Sequence, residues 1–383
     1  TREEKYEFLE QKKLSSIIFQ DVILRKPFYY FKNRNYKYVN EYAKWPDMVA
    51  IYNAYSTGYY TSCDDIVIGD SVEDLRAKLA GSSLNLTFDS AKVRRTTFRP
   101  FDIKYVYYDE KILTRARAKF VARLPEANIF IITGKSTKNR TADHFYIGNS
   151  FPELKCGESS KGSYMFPLWV NGKSHGNGFL ADESNINSKI LEQYKEIVQD
   201  DVTAFRVHMY IYAVMYSPSY RAIFGENIRE DFIHIPYPVD AKSFTELSAH
   251  GETLLRLHTL ADPALDQLVT SFPEQGSNRV TLSIGKDDWE VDEDEGTVRV
   301  WINDGQFFDG VPVEAWELSV GGYFPAQKWL KDRKGSVLSF HQIMDYQRVI
   351  VALSETVRLM GEIDDVIAGL LDGMGNGEMG RKS

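Results

Sequence analysis

The chain reads as an α+β protein: a strand-rich, basic N-terminal lobe followed by a helical lobe with a small antiparallel sheet and a long C-terminal helix. Three observations predict this. Up to about residue 180, aromatic and β-branched runs alternate with turn residues, the pattern of short strands. From Asn187 onward, apolar residues recur at helical spacing. The charge divides at the same place: residues 1–180 hold 28 Lys and Arg against 20 Asp and Glu, a balance of +8, while residues 181–383 hold 18 against 34, a balance of -16. The expected divisions are residues 1–180, residues 181–368, and a flexible tail over 369–383.

Taken in order, residues 1–13 read as the end of a helix. Ile17 to Tyr38 and Met48 to Tyr60, rich in aromatic and β-branched residues, read as short strands and loops. Ser71 to Leu79 reads as a short helix that Ser71 can cap, with Asp74 three residues on. Leu84 to Ile147 is again strand-like, clearest at Tyr105–Tyr108 and Asn128–Thr133, with Ile112 to Leu124 as an irregular or helical crossing. Asn187 to Val198 and Val202 to Tyr216 are periodic helices, the second stopped by Ser217-Pro218. Ser243 to Thr259 is a helix with Leu247, Leu254, Leu255 and Leu257 as its stripe. Alternation and tight turns make Arg279–Gly285, Thr297–Asn303 and Val311–Ser319 the strands of an antiparallel sheet. A last helix spans about Ser339 to Ile363, and the Gly/Met-rich stretch from Gly369 reads as frayed.

With 383 residues, 43% hydrophobic and 13% aromatic, the chain can bury a sizeable core. No apolar run approaches the roughly 20 residues a membrane helix needs. The charged opening, Thr1-Arg2-Glu3-Glu4-Lys5-Tyr6-Glu7, is not a signal peptide, and it starts in mid-pattern as if cut from a longer polypeptide. Cys63 and Cys156 lie too far apart for a metal motif or a disulfide framework, which points to a reducing cytoplasm.

The net charge is -8, yet between Lys92 and Arg140 thirteen Lys and Arg face four acids. A phosphate backbone responds to local potential and not to whole-protein charge, so this segment is a candidate polyanion-facing surface. Phe98, Phe101, Tyr105, Tyr107 and Tyr108 interleave with it, as flat groups for packing or stacking. The competing reading is a solvated strand face neutralised by acids elsewhere.

Motifs for chemistry are sparse. There is no Asn-Pro-Pro-Tyr or Asp-Pro-Pro-Tyr, no glycine loop after a strand for a nucleotide or S-adenosylmethionine, and no Gly-Lys-Ser/Thr. Gly373-Met374-Gly375-Asn376-Gly377 has spaced glycines but no strand before it. The histidines show no metal spacing. Asp143 followed by Glu153-Leu154-Lys155 has the acid, acid-x-Lys order that some metal-dependent nucleases use to hold Mg²⁺, set against the reading of a solvated loop. Ser217, Ser219 and His208 lack a nucleophile elbow.

Several blocks together resemble one family. Thr1 to Leu9 resembles the segment after the last catalytic strands of adenine-specific methyltransferases in single-chain, Type I-like (Type ISP) restriction–modification enzymes. Gly58-Tyr59-Tyr60-Thr61-Ser62-Cys63-Asp64 is similar to its Gly-x-x-Thr-x-Arg-Asp block, with Cys63 where arginine is usual. Phe98-Arg99-Pro100-Phe101-Asp102 with Tyr107-Tyr108-Asp109 is the most distinctive match, with Lys104 where arginine is frequent. Phe166-Pro167-Leu168-Trp169, Tyr216 to Arg221, Ile235-Pro236-Tyr237-Pro238 and Lys328 to Gly335 follow in order. The resemblance implies the C-terminal target-recognition part of such an enzyme, with the methyltransferase core upstream.

The expected function is therefore sequence-specific recognition of double-stranded DNA for an adenine-specific methyltransferase, with no catalysis by this chain alone. Such binding needs cations on phosphates for affinity and polar groups on base edges for sequence. The candidates are Arg94, Arg95, Arg99, Arg115, Arg117, Lys119, Lys135, Lys138, Asn139 and Arg140, with base reading placed in the loop Lys135–Arg140. Arg99 has a second reading, a buried ion pair fixing the turn at Pro100 and Asp102. No cofactor is expected here; S-adenosylmethionine is implied for the parent core. The expected partners are duplex DNA and that core, without a membrane. The alternatives are a metal-dependent nuclease using Asp143, Glu153 and Lys155, and an acidic C-terminal lobe that docks protein.

Overall fold

The computed structural model describes residue 6 and residues 38–84, 86–171 and 182–376. Two compact units divide the chain, Thr1–Lys44 and Trp45–Ser383. The described part of the first holds one helical turn, α1 (Val39–Tyr42). The helix expected over 1–13 and the strands expected over 17–37 lie outside the described residues, Tyr6 excepted.

The second unit opens with α2 (Met48–Ile51), a helical turn where strand was expected. Asp47, following Pro46, caps it by accepting the Ala50 N–H at 2.7 Å, and this local bond overrides the β-leaning composition. Next come β1 (Ser56–Thr57), α3 (Asp64–Val67), β2 (Ile68–Gly69) and α4 (Val72–Ala80). In α4 the expected cap forms, Ser71 Oγ accepting the Asp74 N–H at 3.1 Å. The remaining strands of this half are β3 (Val93–Arg99), β4 (Asp102–Tyr107), β5 (Phe130–Gly134), β6 (Phe145–Gly148), β7 (Phe151–Pro152), β8 (Ser163–Pro167), β9 (Trp169–Asn171) and β10 (Asp182–Ser184). The crossing at 112–124 contains a single helical turn, α5 (Ala118–Val121).

Two four-stranded sheets result, in the orders β1-β8-β5-β6 and β2-β4-β3-β7, beside a β9/β10 ribbon. β5 is buried along its whole length, so it shows an apolar run instead of alternation. The two sheets meet at Gly148, where a Cβ would lie 2.7 Å from Thr97 Oγ1; only glycine lets them come this close.

The helical half begins with α6 (Ser188–Val198) and α7 (Ala204–Met215). Every residue from Val207 to Met215 is buried, making α7 the axis of this half. The Ser217-Pro218 stop is also a start. Ser217 Oγ accepts the Tyr220 N–H at 3.1 Å and caps α8 (Pro218–Ile228), whose first position suits a proline lacking an N–H. α9 (Ala241–His258) begins two residues before its expected start, at the capping box of Asp240 and Ser243. Its Leu247, Leu254 and Leu257 are buried as expected while Leu255, the fourth of the expected stripe, is only half-buried, and Gly251 lets the helix cross α7 closely: a Cβ there would lie 2.0 Å from the Met209 carbonyl oxygen.

A three-stranded antiparallel sheet follows, β11 (Trp289–Asp292), β12 (Thr297–Asn303) and β13 (Gln306–Pro312). The strand expected at Arg279–Gly285 is only an isolated bridge from Arg279 to Val337. The strand expected over Val311–Ser319 ends at Pro312, which cannot donate to a ladder and instead opens α10 (Val313–Glu317). After α11 (Pro325–Lys331), α12 runs from Phe340 to Asn376, well beyond the expected Ile363. Its buried stripe of Ile343, Tyr346, Ile350, Leu353, Ile363, Ile367 and Leu370 carries the packed face past Gly369, where fraying was expected. Among the described residues no helix is long and apolar enough to cross a membrane.

Candidate nucleic-acid interface

Position along β3, more than strand alternation, decides which of its basic groups reach solvent: the first half of the strand is open and the second half is covered. On β3, Arg94 and Arg95 are exposed, while Thr96, Thr97 and Phe98 turn into the sheet contacts. The Arg94 guanidinium lies 5.0 Å from the centroid of the Tyr108 ring. Tyr108 donates its hydroxyl to the Ala116 carbonyl, and burial pushes that phenol up to about 12 with Arg94 pulling the other way. The stacked arginine is thus joined to the basic crossing. There Arg115 exchanges backbone hydrogen bonds with Tyr60 at 3.0 Å in both directions. Arg115 and Lys119 are exposed, and Arg117, half-buried, takes a left-handed φ of 62° ahead of the α5 turn. Five of the ten candidates, Arg94, Arg95, Arg115, Arg117 and Lys119, therefore belong to connected strand and crossing segments.

A second group sits on the loop after β5. Lys135, Lys138 and Arg140 are exposed. Lys135 meets Asp231 at 3.6 Å, a solvent-exposed pair that contributes little. The Arg140 carbonyl accepts from Arg229 Nη1 at 2.8 Å, and the Thr137 N–H donates to the Arg229 carbonyl at 3.0 Å, so the end of α8 supports the loop. Asn139 is half-buried; its amide nitrogen lies 3.4 Å from both Glu158 Oε1 and Ser159 Oγ, which turns its side chain toward the protein.

Under this loop lies Glu158, 0% exposed. Its Oε1 accepts from Thr137 Oγ1 at 2.8 Å, Ser160 Oγ at 2.5 Å and Ser160 N at 2.9 Å; its Oε2 accepts from Gly162 N at 2.8 Å and from Lys161 N. Burial pushes this carboxyl up, but the Ser160 hydroxyl and the backbone N–H groups of Gly162, Lys161 and Ser160 outweigh it and hold Glu158 below the usual range. Ser160 Oγ also accepts the Lys138 N–H at 3.0 Å, and Lys161 Nζ donates to Ser136 Oγ at 2.8 Å. Glu158, Lys161 and Arg229 were not among the sequence candidates. Glu158-Ser159-Ser160-Lys161-Gly162 looks like any solvated polar turn, and Arg229 lies in the acidic half.

Arg99 follows its second reading, with a different partner. Its Nη1 donates to Glu153 Oε2 at 2.6 Å, the two side chains being 12% and 1% exposed. Burial works against the guanidinium's charge, and Glu153 outweighs it. The guanidinium also lies 3.9 Å from the Phe98 ring centroid. Asp102, the expected partner, pairs with Arg333 instead. Arg99 thus ties the β3–β4 turn to the segment after β7.

The residues of the nuclease-like order are not a solvated loop. Asp143 and Glu153 are 5% and 1% exposed. Asp143 Oδ2 accepts from the Ser319 hydroxyl, Glu153 is committed to Arg99, and the Lys155 carbonyl accepts from Tyr323 Oη at 2.9 Å. Among the described residues no three His, Cys, Asp or Glu side chains gather as a metal would require. Both cysteines are free thiols.

Residues 42–362 match the family model described as the Type ISP C-terminal specificity domain. Among curated proteins none matches the chain. Solved structures share its fold, among them the following three. The ATP-dependent Type ISP restriction-modification enzyme LlaBIII bound to DNA aligns at TM-score 0.67 and 15% identity, over 90% of this chain and 25% of that one. The DrdV–DNA complex aligns at 0.70 and 17%, over 94% and 42%. A nuclease-deletion mutant of the Type ISP restriction-modification enzyme LlaGI, in complex with a DNA substrate mimic, aligns at 0.66 and 14%, over 94% and 32%. The chain thus spans from a quarter to about two fifths of those chains. The matched region takes in both sheets of the basic half and most of the helical half, and on that match the chain belongs to the Type ISP C-terminal specificity domain family.

Proposed function

We propose that this chain reads a specific double-stranded DNA sequence for an adenine-specific DNA methyltransferase within a single-chain restriction–modification enzyme. The observation that carries the reading is the loop after β5. It holds exposed Lys135, Lys138 and Arg140 on a backbone fixed by buried hydrogen bonds, in a chain whose other half is strongly acidic. A positive, rigid loop of this kind can place cations on phosphates and a side chain on a base edge in one register. Arg94, Arg95, Arg115, Arg117 and Lys119 supply sequence-independent phosphate contacts. Membership of the specificity-domain family and the DNA in the three related complexes support the same reading.

The methyltransferase core and its S-adenosylmethionine site belong to the rest of the parent polypeptide, the partner this domain serves, and the whole works in the cytoplasm. Gly373 and Gly375 lie inside α12, so they form no loop between a strand and a helix, and this glycine stretch does not fit that cofactor. No step through it is assigned to this chain.

The test is enrichment of a motif from a random duplex pool by the 383-residue chain, followed by titration at several salt concentrations. Charge reversal of Lys138 and Arg140 should weaken binding and flatten the salt dependence by about 0.9 log–log units for each lost phosphate contact. The same reversal at Lys242 and Lys286 should do neither. No enriched motif, or equal losses from both pairs, would overturn the reading.

A further inference from the structure

We propose that Glu158 is the positioning residue for sequence reading, acting through two hydroxyl relays that set the backbone of Lys138 and Asn139. The inference rests on the DNA-recognition reading above and adds to it the group that gives the loop its shape.

Two short chains of hydrogen bonds converge on one carboxylate oxygen. In the first, the Lys138 N–H donates to Ser160 Oγ at 3.0 Å, and Ser160 Oγ donates to Glu158 Oε1 at 2.5 Å. In the second, the Asn139 N–H donates to Thr137 Oγ1 at 3.0 Å, and Thr137 Oγ1 donates to the same Oε1 at 2.8 Å. A hydroxyl has one proton and two lone pairs. An ionised carboxylate accepts that proton from each hydroxyl, leaving only lone pairs to face the loop, and so each hydroxyl must accept a backbone N–H. Oε2 meanwhile holds the N–H groups of Lys161 and Gly162, fixing the opposing turn that carries Ser160. One buried charge therefore aligns both loops.

Glycines leave room for this arrangement. A Cβ at Gly134 would lie 2.8 Å from Glu158 Cγ, and a Cβ at Gly322, whose φ is +84°, would lie 2.4 Å from Asn139 Nδ2. Glutamine in place of Glu158 is close in shape but wrong in chemistry. Its oxygen can still take the two hydroxyls, while its NH₂ faces the N–H groups of Lys161 and Gly162, donor against donor.

The charges of Lys138 and Arg140 survive such a change, so what fails is register and not attraction. The experiment measures affinity for the enriched duplex and for an unrelated duplex, with thermal unfolding as a control, for wild type, Glu158→Gln, Thr137→Val, Ser160→Ala and Thr137→Ser. Glu158→Gln, Thr137→Val and Ser160→Ala are each expected to lower the ratio of the two affinities by about tenfold, the scale of one misread base pair. Affinity for the unrelated duplex and its salt slope should stay as in wild type, and Thr137→Ser, which restores the hydroxyl, should restore the ratio. A merely destabilised protein would lose both affinities together. If Glu158→Gln does not fold, Thr137→Val and Ser160→Ala decide. A wild-type ratio in the folded variants overturns the role of Glu158 and leaves DNA recognition standing; a wild-type chain that enriches no motif overturns both.

Discussion

Arg333 Nη2 donates to Asp102 Oδ1 at 2.8 Å across 231 positions of sequence, with the two side chains 5% and 3% exposed. Asp70 and Lys104 complete the cluster through a 2.9 Å pair, and the Arg333 guanidinium lies 3.4 Å from the Trp329 ring centroid. This ion pair fastens β4, in the basic half, to the end of α11.

Removing one member of such a pair strands the other charge in the interior. Asp102→Ala is expected to lower the free energy of unfolding by about 3–5 kcal/mol. Denaturant titration checks this, and Asp102→Ala combined with Arg333→Met should recover part of the loss. If the single variant unfolds like wild type, the pair does not hold the halves together.

Glycine substitutions separate close packing from backbone freedom. Gly251→Ala places a methyl 2.0 Å from the Met209 carbonyl oxygen and should destabilise by about 3 kcal/mol, the upper range for overpacking. Gly361→Ala, exposed within α12 with nothing within 4 Å of the new Cβ, should stabilise by roughly 1 kcal/mol through helix propensity. Thermal midpoints moving in opposite directions would bear out the α7–α9 crossing.

Three buried histidines make stability depend on pH. Burial lowers His144 to about 4, and His208 and His258 to about 3. Unfolded, they titrate near 6.5, so as pH falls below that value the unfolded state takes up protons that the folded state refuses. Their contribution is fully present above about pH 6.5 and is lost progressively toward pH 3–4, at roughly 1.4 kcal/mol per pH unit for each residue. Unfolding midpoints at pH 7.5, 6.5 and 5.5 test this. His208→Gln, which keeps a hydrogen-bonding group beside the Tyr52 hydroxyl now 2.8 Å from Nδ1, should remove about one proton of the dependence.

Phosphate and base contacts differ in what they disturb. Alanine at Arg94 or Lys119 should weaken binding to all duplexes alike, whereas alanine at Arg140 should cost about 1–3 kcal/mol of discrimination at one base pair. Titrating each variant against the enriched duplex and its single-base-pair variants distinguishes the two. An unchanged motif with Arg140→Ala would place base reading outside this loop.

Local signals were legible in the sequence and distant pairings were not. Ser71 with Asp74 marked the start of α4 because the cap is made within four residues. Ser217-Pro218 was legible only as an end, since proline is equally suited to the first turn of the next helix. The basic stretch from Lys92 to Arg140 stood out by charge. Which of its members face solvent depended on partners elsewhere: Arg99 is taken by Glu153, and Asn139 is turned toward Glu158 and Ser159. Glu158 itself gave no signal, because a carboxylate in a polar turn looks solvated until the fold closes over it.

The turn at Gly321 and Gly322 sets an order on how this protein can be made. The Ser159 N–H donates to the Gly321 carbonyl at 2.9 Å, and Asp143 accepts from Ser319. These contacts close only after the ribosome has released a stretch some 160 residues beyond the loops they brace, at roughly 5–20 residues per second. For that interval the basic half waits without this support, and a product cut short before residue 319 carries the positive residues without the brace beneath them.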